Sequence, residues 1–266
     1  MNKERLILGA IAGDIIGSVY EFHNVKTTDF DLFCDKTEFT DDSVLTLATM
    51  DVLLNQKSYA KTYQAYGRKY PNRGYGGNFH YWIHSDNPLP YNSWGNGSAM
   101  RVSPVGWYGS SLDEVLAEAA RSAEVTHNHP EGIKGAQSTA AAVFLARTSS
   151  SKEEIKRYIA ETFAYNLDQT INEIRPDYFF DESCQGTVPQ AIIAFLESTD
   201  YENAIRLAIS IGGDSDTIAC ITGGISEAYY KTIPENIVNS TLKILPEKLR
   251  AIVENFSVKY RNLEVL

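Results

Sequence analysis

Apolar side chains recur along this chain with the three-to-four-residue spacing of helices and almost nowhere with the alternation of strands. Near the start, Leu6, Ile7, Ala10, Ile11 and Ile15 form an apolar stripe, and Gly9, Gly13 and Gly17 recur every fourth residue beside it. Small residues at that spacing share one side of a helix and let another helix approach closely. A second helix is expected from Thr40 to Leu54, with Thr40 as N-cap and Asp41 and Asp42 in the first turn. Ser111 to Glu114 reads as a capping box opening an alanine-rich helix. Further helices are expected over Ile133 to Arg147, Glu153 to Ala164, Pro189 to Ser198, Glu202 to Ile211 and Asp216 to Lys231. The last run, Glu235 to Tyr260, should break near Pro246.

The stretch Tyr70 to Trp107 is different. It is rich in Gly, Asn, Tyr and Trp and shows no period, and a loop that long within a compact chain is more often functional than idle. No linker, repeat or second composition regime divides residues 1–266, so one all-α domain is expected.

Composition narrows the function classes. The net charge is -10, with no basic run to reverse it locally, which argues against sequence-independent nucleic-acid binding. A modified nucleic-acid end held in a pocket stays open. Cys34, Cys184 and Cys220 are odd in number and far apart, so neither a disulfide framework nor a zinc site is indicated. Asp14 and several Gly and Ser positions interrupt the first apolar run well short of a signal core or membrane span, and the GxxxG-like spacing there reads as soluble helix packing. A cytoplasmic protein without membrane contact is the expectation.

Four constellations could carry chemistry. Thr40-Asp41-Asp42 opens a helix, where a cap and acidic first-turn residues need no further explanation. Gly212-Gly213-Asp214-Ser215-Asp216-Thr217 also precedes a helix, but two glycines ahead of two carboxylates allow the backbone to fold tightly around something. Were the two clusters to meet, four carboxylates would repel strongly unless divalent cations neutralised them, and the all-oxygen donor set suits Mg²⁺ or Mn²⁺ rather than zinc. The third constellation comprises Gly74 to Asn78 and Ser93 to Arg101. These are either turn-rich surface loops or backbone N–H groups presented to phosphate, with Trp or Tyr as a stacking face. The fourth, Thr126-His127-Asn128-His129-Pro130, is either a helix start or a ligand contact through His127.

In this order, GAIAGDIIGSVYEF, FTDDSVLTLA, GYGGNF, SWGNGSAMRVSPVGW, THNHPEGIKGA, TVPQAIIAFL and SIGGDSDTIACITGGI resemble the ADP-ribosylglycohydrolase family from Gly9 to about Ile225. That resemblance implies a single compact orthogonal helical bundle and two Mg²⁺ or Mn²⁺ ions beside a ribose. It implies Thr40, Asp41, Asp42, Asp214, Asp216 and Thr217 as metal ligands, and Glu21 as the acid/base. It places Ser93, Trp94, Gly95 and Asn96 at the diphosphate and ribose, His127 at the ribose side, and Gly76 and Gly77 in the wall over the site. Trp94 departs from the smaller aromatic that relatives often carry.

The implied activity is hydrolysis of the glycosidic bond between ADP-ribose and an acceptor on a protein or a small conjugate. ADP-ribosyl-arginine comes first; ADP-ribosyl-serine, O-acetyl-ADP-ribose or a modified nucleotide stand behind it, and a monomer is expected. A non-catalytic ADP-ribose-binding module is the competing class, disfavoured because a reader needs neither Glu21 nor two acidic clusters. Other helical metalloenzymes fit worse. The terpenoid-synthase DDxxD pattern fails at Leu45, and no adjacent His-Asp pair exists for an HD-type phosphohydrolase.

Overall fold

The computed structural model describes residues 6–261 and is all-α, with no β-strand among the described residues. The chain order is α1 (Gly9–Gly17), α2 (Asp41–Asn55), α3 (Tyr59–Lys69), α4 (Gly77–Ile83), α5 (Gly97–Met100), α6 (Ser103–Tyr108), α7 (Leu112–Glu124) and α8 (Pro130–Arg147). It continues with α9 (Lys152–Phe163), α10 (Ile171–Ile174), α11 (Cys184–Glu197), α12 (Tyr201–Ser210), α13 (Ser215–Tyr230), α14 (Glu235–Ile244) and α15 (Glu247–Tyr260).

Helices α1 and α13 form the central pair. Every residue of α1 is buried, as is Ser215 through Ala228 of α13, so the apolar stripe of α1 extends around the whole helix. Their approach depends on the glycines spaced by four. A Cβ at Gly13 would lie 2.1 Å from the carbonyl oxygen of Ala219, and one at Gly17 would lie 2.5 Å from the Cα of Asp216. Backbone touches backbone here, and alanine at either position would force the helices apart. Around this pair pack α2, α8, α11 and α12.

Several elements differ from the sequence expectation for identifiable reasons. Helix α11 starts at Cys184, five residues before the expected Pro189, because Ser183 caps it by accepting the N–H of Gly186 at 3.1 Å. Pro189 then sits inside a buried helix, where packing outweighs one lost hydrogen bond. Ser111 does cap α7, accepting the N–H of Glu114, but the Glu114 carboxylate accepts from the N–H and hydroxyl of Ser110 instead of closing the box. The reciprocal boxes are Ser151/Glu154 and Thr170/Glu173. The segment from Tyr70 to Trp107 contains α4, α5 and most of α6, which are too short to show a helical period.

Candidate active site

Three helix starts or interiors converge. Asp14 lies in the middle of α1, Thr40 to Asp42 open α2, and Asp214 to Thr217 open α13. The close contact of Gly17 with Asp216 sets α1 against the start of α13. Asp14 then fixes α2. Its Oδ1 accepts the Thr40 hydroxyl at 2.6 Å, and its Oδ2 accepts the N–H groups of Thr40 and Ser43, each at 3.1 Å, and the Ser43 hydroxyl. A carboxylate on one helix thereby satisfies the free donors at the start of another.

Asp42 and Asp216 are buried behind this contact. Asp42 Oδ2 accepts the Thr217 hydroxyl at 3.3 Å, and Asp216 Oδ1 accepts the Thr217 N–H at 2.9 Å. Asp42 Oδ1 is buried with no hydrogen-bond partner. Carboxylate oxygens of Asp14, Asp42 and Asp216 lie within 4.8 Å of one another, and so do those of Glu21, Asp214 and Asp216, with Asp216 common to both sets. An orphaned buried oxygen inside an all-oxygen donor set fits a hard divalent cation. Asp14 has both oxygens engaged already, so its geometry is that of a holder of α2.

The electrostatics follow from crowding. Burial and mutual repulsion hold the carboxyls of Asp41, Asp42 and Asp216 well above the usual range. Burial raises Asp14 to about 6 against the opposing pull of its hydrogen bonds. Glu21 is half-buried and raised to about 7, first by desolvation and then by the charges of Asp214, Asp14 and Glu182. A carboxyl at that value exchanges protons near neutrality, as an acid/base group must.

The loop carrying Asp214 is shaped by glycine. Gly212 and Gly213 have φ of +76° and +72°, the left-handed conformation that favours glycine. Asn24 clamps this turn: its Oδ1 accepts the Gly213 N–H at 2.8 Å, and its Nδ2 donates to the carbonyls of Gly213, Glu21 and Tyr20 at 2.9, 2.8 and 2.7 Å. Lys26 adds bonds to the carbonyls of Ile211 and Tyr178. The segment bearing Glu21 and the turn bearing Asp214 are thus tied together by one amide.

A cavity of about 250 Å³ opens onto these groups. Glu21, Asp41, Asp42, Asp214, Asp216 and Thr217 line it, as do Gly76, Gly77, Ser93, Gly95, Asn96 and His127. Two other expected site residues do not line it. The Thr40 hydroxyl is turned to Asp14, and Trp94 is 53% exposed with its ring edge against His129. The Asn96 side chain donates to Asp214 at 2.7 Å and to the Thr187 hydroxyl at 3.0 Å, joining the loop of residues 93–97 to the acidic wall. Asp41 lines the cavity yet falls outside both close carboxylate sets.

Sequence reasoning gave no site role to Asp14, Asn24 and Glu182, and named Arg101 only as the end of the 93–101 stretch. Asp14 had a readable signal, a lone carboxylate in an otherwise apolar, glycine-spaced helix. Asn24 had none, because Gly213, the partner that makes it a clamp, is distant in sequence, and Glu182 meets Asp214 and Glu21 only in the fold.

A buried acidic cluster beside Glu21, opening into a cavity between helix starts, is a set of oxygen donors able to hold a cation in a helical protein. A model of the ADP-ribosylglycohydrolase family matches residues 4–264. The chain is 27% identical to mouse ADP-ribosylhydrolase ARH3, over 86% of this chain and 84% of the mouse protein. It is 27% identical to the ADP-ribosylarginine hydrolase Tri1 of Pseudomonas putida, over 51% of this chain and 38% of that protein. A solved structure described as an ADP-ribosylglycohydrolase-related protein complex superposes with a TM-score of 0.73 at 22% identity, covering 96% of this chain and 98% of that one, which shows a shared fold. The chain belongs to the ADP-ribosylglycohydrolase family, whose members hydrolyse glycosidic bonds to ADP-ribose. No helix among the described residues is long and apolar enough to cross a membrane.

Proposed function

We propose that this protein removes ADP-ribose from arginine side chains, using two Mg²⁺ or Mn²⁺ ions held by Thr40, Asp41, Asp42, Asp214, Asp216 and Thr217. The observation that carries the cation requirement is the unpartnered, buried Oδ1 of Asp42 within a set of carboxylates that repel one another. When bound, such cations supply positive charge against which the ribose hydroxyls and the attacking water are oriented. Glu21 holds the proton that the leaving nitrogen needs. As the anomeric C–N bond breaks, that proton passes to the guanidine, and water delivers its hydroxyl to the anomeric carbon and its remaining proton back to Glu21. Asn24 keeps the Glu21 backbone fixed against Gly213 while this happens. The loop of residues 93–97 and His127 take the nucleotide side, and Gly76 and Gly77 wall the opening.

What supports arginine over an uncharged acceptor is the rim. Glu182 is exposed, lines the cavity and interacts electrostatically with Glu21 and Asp214, and no salt bridge engages it among the described residues. A planar guanidinium is the group that such a rim suits. The match from residue 4 to 264 supports treating the chain as a single catalytic domain. The test is release of free ADP-ribose from an ADP-ribosyl-arginine protein and from an ADP-ribosyl-serine peptide, each with Mg²⁺, Mn²⁺ or EDTA. Cation-dependent release from the arginine conjugate at the higher kcat/KM is expected. Faster release from serine would reject the acceptor assignment, and release undiminished in EDTA would reject the cations.

A further inference from the structure

Arg101 is completely buried in a protein of net charge -10, and no carboxylate pairs with it among the described residues. Its guanidinium stacks over the Tyr63 ring at 4.3 Å, and its Nη2 donates to the Ser122 carbonyl at 2.8 Å and to the Thr126 hydroxyl oxygen at 2.9 Å. The same Thr126 oxygen lies 2.7 Å from His127 Nδ1. Arginine can only donate, so it occupies a lone pair of Thr126 and leaves the hydroxyl proton for another acceptor. His127 Nδ1 is the acceptor in reach. The reverse arrangement, with Nδ1 protonated, would strand a hydroxyl proton on a residue that is wholly buried.

Burial, helped by the charge of Arg101, holds the His127 ring well below the usual range and therefore neutral. A neutral ring that accepts at Nδ1 carries its one proton on Nε2. That nitrogen faces the glycines of the 93–97 loop: a Cβ at Gly97 would lie 3.0 Å from it, and one at Gly95 3.6 Å. Both glycines and His127 line the cavity. Only a residue without a side chain leaves Nε2 open at position 97.

We infer that Arg101 and Thr126 are positioning residues that fix His127 as an Nε2–H donor, and that this donor takes an oxygen acceptor, hydroxyl or phosphate, of the ADP-ribose moiety. The ligand half of this inference rests on the proposed function; the tautomer half rests on the three side chains alone. It separates His127, whose Nε2 faces the cavity glycines, from Thr126, which acts through it, while Arg101 bonds Thr126 and also lines the cavity.

The test is a long-range ¹H–¹⁵N correlation on the full chain labelled with ¹⁵N-histidine, the His127 pattern being identified by its loss in His127→Gln. Without ligand, Nδ1 should be unprotonated and Nε2 protonated. Thr126→Val should abolish that preference and weaken ADP-ribose binding by about ten-fold, the scale of one hydrogen bond, while Thr126→Ser restores both. A protonated Nδ1 in the wild-type protein would overturn the inference, and so would a Thr126→Val protein with unchanged tautomer and affinity. Should Thr126→Val not fold, the wild-type spectrum still decides. Failure of the wild-type protein to bind ADP-ribose would overturn the ligand assignment together with the proposed function, leaving the tautomer to be judged separately.

Discussion

Two walls of the same cavity solve opposite problems. On the wall built by α1, α2 and α13, carboxylates crowd until Asp42 has an oxygen without a partner and Asp216 serves two sets at once. On the wall built around Arg101, Thr126 and His127, hydrogen bonds run in sequence to a single nitrogen beside two glycines. The first wall is incomplete by itself, and under the proposed function a cation would complete it. The second is finished in advance and offers one directed donor. The Asn96 amide ties the 93–97 loop, whose glycines His127 faces, to Asp214. Under the proposed function the two walls would divide the work into charge for the reacting bond and geometry for the nucleotide.

Removing the shared carboxylate should do the most damage. Asp216→Asn is expected to lower cation affinity by about 100-fold or more and to abolish turnover, with the helical circular dichroism unchanged. Activity in that variant would break the account of the acidic wall. Glu21→Gln should reduce kcat by about 10²- to 10⁴-fold while calorimetry finds ADP-ribose binding intact, since the histidine wall is untouched. Near-normal rates would remove Glu21 from proton transfer. Asn24→Ala is a finer probe, because Asn24 is exposed and its loss leaves the core alone. A fall of about ten-fold in kcat with KM little changed is expected, from loosened tethering of Glu21 to Gly213. An unchanged kcat in Asn24→Ala would make the clamp irrelevant.

The smallest effect is on stability. In the folded chain Asp14 is raised from 3.8 to about 6 and Glu21 from 4.5 to about 7. Raised carboxyls favour the folded state while protonated, so their contribution is present below pH about 4 and is lost as pH climbs through about 6 and then about 7. The melting temperature of EDTA-treated protein should therefore fall across that window, and added Mg²⁺ or Mn²⁺ should restore it more at pH 7 than at pH 5. A cation-free protein that grows more stable from pH 5 to pH 7 would contradict the crowding on the acidic wall.

How much of this was legible in the sequence varies between the two walls. The acidic clusters could be read because each sits at a helix start marked by Thr40 or by Gly212-Gly213, and short-range signals survive in one dimension. The α1–α13 pairing was half visible: Gly9, Gly13 and Gly17 announced a close partner, and only the fold shows it to be α13. Asp14 looked like an interruption of an apolar run, since its meaning depends on α2 lying across it. The short helices α4 to α6 escaped because four to seven residues give the period too few turns to register. Arg101 stood inside a quoted motif, yet its role depends on Ser122, Thr126 and Tyr63, which the chain brings together from both sides.

The most direct test of the two-walled cavity is a crystal structure grown with Mn²⁺ and ADP-ribose, with anomalous scattering used to locate the metal. The account predicts manganese peaks within coordination distance of Asp42, Asp214 and Asp216, ribose beside them, and His127 Nε2 donating to an oxygen of the same ligand. Manganese away from those carboxylates, or ADP-ribose bound with no contact to His127, would contradict it.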